Sequence, residues 1–271
     1  MARFALGLEY DGTAFMGWQR QAHAGRTVQA CLESAIAKVA DHPVQAGCAG
    51  RTDAGVHATG QVVHFDSPSR RDPRGWLLGI NSNLPQDVAV RWIKQVPDDF
   101  HARYQAIARQ YRYTILNRVT RSAVLRTLAT WVHQPIDEAR MRAAAGYLLG
   151  EHDFSAFRAV ECQARTPVRR LHCLEIRRSG DAVYLDVVAD GFLHHMVRNI
   201  AGVLIDIGTG KQPPLWARNV LQGRDRTRGG ITAPAQGLCF VAVLYPDSYA
   251  IPRPHGALFS GLTATRGRTA G

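Results

Sequence analysis

Nine consecutive residues, Gly50-Arg51-Thr52-Asp53-Ala54-Gly55-Val56-His57-Ala58, set a carboxylate, a guanidinium, a hydroxyl and an imidazole among glycines. Glycine admits backbone conformations and close ligand approaches that other residues resist, so the stretch reads as a loop that presents polar groups after an apolar run. Four readings compete for it. It could be a plain turn, since Asp before Ala-Gly is a common turn former. It could be a metal site using Asp53 with His57 and His64, but such a site needs several convergent ligands and Arg51 would repel the cation. As a phosphate-cradling loop it lacks the Lys-Ser/Thr ending and the helix that should follow. In the fourth reading Asp53 is a nucleophile that forms a covalent intermediate, kept ionised by a nearby arginine.

Two further stretches could share in such chemistry. In Arg109-Gln110-Tyr111-Arg112-Tyr113-Thr114-Ile115-Leu116, strand parity puts Arg109, Tyr111, Tyr113 and Ile115 on one face. Parity does not say which tyrosine matters. In Phe192-Leu193-His194-His195-Met196-Val197-Arg198-Asn199-Ile200, helical spacing gathers Met196, Ile200, Val203, Leu204 and Ile207 on one side. Arg198, Asn199, Gly202 and Asp206 fall on the other side, which frees Arg198 to reach a cleft. Adjacent His194 and His195 cannot share a helical face to chelate one metal.

The elements that would hold these residues follow from periodicity. Phe4 to Tyr10 alternates as a strand and ends at Asp11-Gly12-Thr13, before a polar loop with Gly17-Trp18-Gln19-Arg20-Gln21. Thr27 is a fitting N-cap for a helix over 28–40, whose Val28, Leu32, Ile36 and Val39 form an apolar face. Strands over 44–48 and 61–65, a helix over 73–83 and a strand over 88–96 complete a βαββαβ order. The order recurs with strands at 106–116, 169–178, 182–189 and 238–244, and helices at 137–149, 194–207 and 214–222. The expectation is an α+β fold: two tandem ferredoxin-like (βαββαβ) units, antiparallel sheets flanking a central basic active-site cleft. The first unit would span 1–104 and the second 105–246, with 247–271 a partly disordered extension.

The 271 residues, 46% of them hydrophobic, suffice for two ordinary domains. No signal-peptide pattern opens the chain and no apolar run approaches the ~20 residues of a membrane span. Five scattered cysteines, none in CxxC spacing, argue against a disulfide framework or zinc site and fit a reducing cytoplasm. The net charge of +11 favours a polyanionic partner. A non-catalytic RNA-binding module would also suit tandem units of this kind, but the RNP-type aromatic signature is missing. A metal-dependent nuclease would require the metal reading set aside above.

Taken together, the Gly-Arg-Thr-Asp-Ala-Gly-Val-His loop, the Arg-x-Tyr-x-Tyr-like strand and the His-His-Met-Val-Arg-Asn-Ile helix resemble the TruA-type tRNA pseudouridine synthases. Further matches are Glu9-Tyr10-Asp11-Gly12, Gly17-Trp18-Gln19-Arg20-Gln21, Asp98-Asp99-Phe100-His101-Ala102-Arg103 and Asp153-Phe154-Ser155-Ala156-Phe157-Arg158. The resemblance runs from about residue 3 to 246. It implies isomerisation of uridine to pseudouridine at positions 38, 39 and 40 of the tRNA anticodon stem-loop, through a covalent aspartate adduct. By motif position Asp53 resembles the family's essential aspartate. Tyr111 matches the tyrosine that stacks on the base and serves in proton transfer, and Arg198 the arginine that pairs with the aspartate. Arg51, Thr52, His57, Gln19 and Arg20 stand where RNA contacts are expected. The resemblance also implies that no metal or organic cofactor is needed, and that the enzyme is a cytoplasmic homodimer whose subunits together hold one tRNA. The chemistry agrees: the base must leave its stack, be detached, rotated and rejoined through carbon. The carboxylate could capture ribose C1′ or base C6.

Overall fold

In the computed structural model, residues 1–21, 25–259 and 262 are described. The chain divides into two compact units, Met1–Arg109 with the chain from Phe240 onward, and Gln110–Cys239. The closing strand from Phe240 and residues 247–259 thus group with the first unit. The remainder of the expected extension lies outside the described residues, apart from Leu262.

The first unit is built on strands β1 (Ala2–Tyr10), β2 (Gly47–Cys48), β3 (His57–Ser67) and β4 (Val88–Val96). It carries helices α1 (Val28–Ala40) and α2 (Pro73–Asn83). The sheet order is β4-β1-β3, with β1 antiparallel to both neighbours. Along the far side of β3 lie β2, paired at Val63 and His64, and the closing strand, which we number β10 (Leu238–Leu244). Both helices start where a side chain satisfies an orphan backbone N–H: Thr27 accepts from Ala30, and Asp72 accepts from Gly75 one residue before Pro73. Phe4, Phe65 and Trp76 form one aromatic cluster in the core, with ring centroids 5.4–5.5 Å apart. Opposite Phe4, the register sets Arg3 beside Asp66, where the guanidinium donates two hydrogen bonds of 2.8 and 2.7 Å.

The second unit contains β5 (Ala108–Asn117), β6 (Thr130–Val132), β7 (Gly150–Asp153), β8 (Val168–Ser179) and β9 (Ala182–Ala189). Its helices are α3 (Glu138–Gly146), α4 (Met196–Gly208) and α5 (Trp216–Gly223). The order is β5-β9-β8-β7, with β6 parallel to β5. The chain turns from β8 to β9 at Gly180, whose φ of +58° suits glycine. Met196, Ile200, Val203, Leu204 and Ile207 are buried as the helical spacing predicts, each contributing roughly 1.5–3 kcal/mol by leaving water. Asp186 on β9 is fully buried. It accepts from Arg112 at 2.8 and 3.2 Å and from Arg177 at 3.3 Å, so this buried charge is paired, as burial demands.

Several boundaries differ from expectation. The second strand was expected from Val44 but starts at Gly47, because the Ala46 N–H donates instead to the Glu33 carboxylate at 2.9 Å. The third starts at His57, so this histidine sits on a strand. The helix expected from His194 begins at Met196, since His195 adopts a left-handed φ of +62°. Strands β6 and β7 have no counterpart in the sequence reading. Among the described residues no helix is long and apolar enough to cross a membrane.

Candidate active-site loops

The Asp53 loop is tied down from three sides within the first unit. At its entry, the fully buried Gln61 clasps Gly50: its amide donates to Gly50 O at 2.6 Å and its carbonyl accepts from Gly50 N at 3.3 Å. At its centre, the buried Thr52 hydroxyl shares a 2.7 Å hydrogen bond with the Tyr10 phenol. The Thr52 carbonyl accepts from Trp18 N at 2.9 Å. At its exit, Gly55 N donates to Phe15 O at 3.3 Å, and Val56 N closes the turn onto Asp53 O at 3.2 Å. The polar loop after β1 is therefore the scaffold for the Asp53 loop. Gly17 makes this approach possible: its φ is +87°, and a Cβ there would lie 2.8 Å from Thr52 O. The result is a fixed backbone that leaves Asp53 half-buried and Arg51 exposed.

His57 is buried, with Nδ1 accepting from Gly12 N at 3.0 Å and lying 3.1 Å from Asp11 Oδ1. It locks the start of β3 to the end of β1. Gln19 is half-buried. Arg20 is exposed and pairs through its guanidinium with Glu33, while its backbone N–H donates to Gln29 Oε1 at 3.0 Å.

In the second unit the two tyrosines of β5 separate clearly. Tyr113 is fully buried. Its hydroxyl binds Thr130 Oγ1 at 2.5 Å and donates to Pro234 O at 2.9 Å, and burial pushes its phenol well above the usual range. It is a core residue. Tyr111 is also largely covered, and its ring meets Phe192 edge to face at 5.0 Å. Such an aromatic pair fixes a ring's orientation, and nothing in sequence parity distinguished the two.

The expectation for the polar side of α4 needs correction. That side is not open: Asn199 and Gly202 are buried, and residues 229–233 cross over them. A Cβ on Gly202 would come within 1.9 Å of Ile231 O. Asn199 donates to Phe157 O at 2.8 Å and accepts from Arg226 at 3.0 Å and Thr232 at 2.7 Å. Arg198 is half-buried at the edge of this crossing, its Nε donating to Ala233 O at 2.8 Å while Ala233 N donates back to Arg198 O at 3.1 Å. The crossing segment thus aims the guanidinium. Sequence reasoning missed this role because residues 229–233 lack hydrophobic periodicity.

Known proteins similar to this chain are as follows. The family model described as tRNA pseudouridine synthase matches residues 8–105 and 144–246. That match includes the Asp53 loop and α4 and leaves out the stretch with Tyr111. The tRNA pseudouridine synthase A of Alcanivorax borkumensis is 55% identical over 260 residues, covering 96% of this chain and 97% of that protein. The protein of that name from Methylococcus capsulatus is 54% identical over 262 residues, covering 97% and 96%. Among solved structures, the archaeal box H/ACA sRNP Nop10–Cbf5 complex matches 74% of this chain and 43% of its own, at 12% identity and a TM-score of 0.34.

Proposed function

The chain belongs to the tRNA pseudouridine synthase family, a family of isomerases, and from that premise we propose that it acts on uridines 38, 39 and 40 of the anticodon stem-loop through a covalent adduct of Asp53. The observation that carries this reading is the bracing of the residues on either side of Asp53, Thr52 by Tyr10 and Trp18 and Gly55 by Phe15, since a nucleophile must be held before it can attack. In the reaction the N1–C1′ bond breaks, the C5–C1′ bond forms, C5 loses its proton and N1 gains one. Asp53 captures either C1′, releasing the base, or C6, making it a better leaving group. Tyr111 stacks on the loosened base and takes part in proton transfer, and Arg198 pairs with Asp53. Arg51, Gln19 and Arg20 contact RNA, the Thr52 and His57 expected beside them are instead buried and brace the loop from within, and the basic chain attracts the phosphate backbone. The protein works as a cytoplasmic homodimer without metal or organic cofactor. In fold terms, both units are variants of the βαββαβ arrangement, which the β4-β1-β3-β2 neighbour relations of the first unit support.

The test is Asp53→Ala. The variant is expected to bind tRNA as the parent does and to form no pseudouridine; product from it would remove Asp53 from the nucleophile's role.

A further inference from the structure

The Asp98–Arg103 motif is held too rigidly and ends too exposed to be only a connection between β4 and β5. Phe100 is fully buried and packs its ring on Tyr245 at 5.2 Å and Tyr249 at 5.1 Å. Arg3 donates to the carbonyls of Asp98 at 2.6 Å and Phe100 at 3.0 Å, and the Tyr245 phenol donates to Ala102 O at 2.6 Å. From this anchor a ladder of rings climbs outward. The imidazole of buried His64 lies 4.4 Å from that of His101, and His101 in turn stacks on Tyr104 at 4.2 Å and 28°. His101 Nδ1 accepts from the backbone N–H groups of Arg103 at 3.1 Å and Tyr104 at 3.3 Å, which fixes the middle rung. The last rung, Tyr104, is 65% exposed, and the Arg103 guanidinium stands 5.9 Å from its ring.

This ladder is tethered to the Asp53 loop. Arg109 donates to Arg103 O at 2.6 Å and, from the same guanidinium, to Ala49 O at 3.3 and 3.2 Å. Ala49 begins the turn that leads to Asp53. The charges of Arg51 and Arg103 also both act on the Cys48 thiol, which burial pushes up to about 12 against their pull. Two exposed arginines and an exposed, backed aromatic ring therefore sit beside one loop.

We propose that Tyr104, backed by His101 and flanked by Arg103, is a stacking platform for a nucleotide of the tRNA next to the Asp53 loop. An immobile ring with one face backed loses little entropy when a base covers the other. Base–aromatic stacking tolerates any base, so the platform positions RNA without choosing sequence. Its backing ring is neutral: burial first, then the charges of Arg3 and Arg103, hold the His101 imidazole below its usual range.

The inference rests on the reading of Asp53's loop as catalytic, so the binding test is done in the Asp53→Ala background, where chemistry plays no part. Tyr104→Ala is expected to weaken tRNA binding on the order of 5- to 100-fold, as for loss of one stacked base. Tyr104→Phe is expected to stay within about twofold of the parent. In the active enzyme the Tyr104→Ala loss should fall on KM and not on kcat, with the melting temperature lowered by no more than a few degrees, the scale of one exposed stacked pair. Tyr104→Ala binding within about twofold of the parent, or Tyr104→Phe failing as badly as Tyr104→Ala, overturns the platform. Product formation by Asp53→Ala would overturn the catalytic reading instead, and the binding ratios would still stand.

Discussion

Gly17→Ala is the sharpest probe of the idea that the polar loop after β1 positions the nucleophile. Two costs arise. An alanine at φ +87° sits in the left-handed region, which costs an L-residue about 1–2 kcal/mol. Its Cβ would also stand 2.8 Å from Thr52 O, 3.1 Å from Asp53 C and 3.2 Å from Ala54 N. These are backbone atoms, so the loop must retreat by a few tenths of an ångström, weakening the Trp18 N–H bond to Thr52 O worth about 0.5–1.5 kcal/mol. The expected loss is about 2–3 kcal/mol of stability. Gly180→Ala isolates the first cost, since Gly180 has φ +58° and nothing within 4 Å of its added Cβ; about 1–2 kcal/mol is expected there. The two variants should part most clearly in rate. A misplacement of 1 Å costs on the order of 100-fold, so a smaller retreat of Asp53 should cost roughly tenfold in kcat, with tRNA affinity retained. Denaturant titration gives the stabilities. Tritium release from tRNA labelled at uridine C5 gives the rate, because that proton must leave. If Gly17→Ala loses no more stability than Gly180→Ala and keeps the parent's kcat, the contact does not position Asp53.

Two other expectations follow from buried polar groups. Asn199→Ala takes the donor from the Phe157 carbonyl and the acceptor from the Thr232 hydroxyl and the Arg226 guanidinium, and loosens the segment whose Ala233 holds Arg198. It should cost roughly 2–4 kcal/mol in denaturant titration, and a cost under about 0.5 kcal/mol, the scale of ordinary surface changes, would refute that role. His64 is held from its ordinary 6.5 down to about 4, chiefly by burial and then by the charges of His101 and Arg3. As pH falls from 6.5 to about 4, the unfolded chain takes up a proton that the folded chain refuses, so stability should decline across that window and be level above it. His64→Gln should remove this part of the pH dependence; an unaltered profile would assign it elsewhere. The lowered Asp66 carboxylate, bonded to Arg3, adds stability that persists above the ordinary carboxylate range and is lost only as pH falls through its own depressed value.

What the sequence made legible was local. Helix α1 follows from Thr27 as N-cap and from Val28, Leu32, Ile36 and Val39 on one face, and its bounds are those expected. Strand β4 runs from Val88 to Val96 for the same kind of reason. The losses came where a distant group takes over a backbone. Glu33 takes the Ala46 N–H from the second strand. Gly60 looks unlike a strand residue, yet β3 runs through it. The Gly150–Asp153 strand, written Gly-Glu-His-Asp, has no strand pattern and exists because β8 offers it a ladder. For the site, the residue types of the Asp53 loop left four readings open, and it was the resemblance of the whole stretch that singled out Asp53. The covering of Asn199 was not legible, since the spacing that puts Arg198 opposite the core says nothing of what lies across it.

The placement of β10 has a consequence for how the protein is made. Gly60 leaves room for Val241: a Cβ on Gly60 would come within 2.0 Å of its carbonyl oxygen. The strand that completes this side of β3 is thus encoded some 180 residues later, after the whole second unit. At ribosomal speeds of about 5–20 residues per second, β3 waits on the order of ten seconds or more with the part of that edge not covered by β2 unpaired. An uncovered edge is a template for pairing with other chains. The first unit is the first to be synthesised and the last that can close, and nascent chains stalled or cut before Phe240 should be the aggregation-prone species.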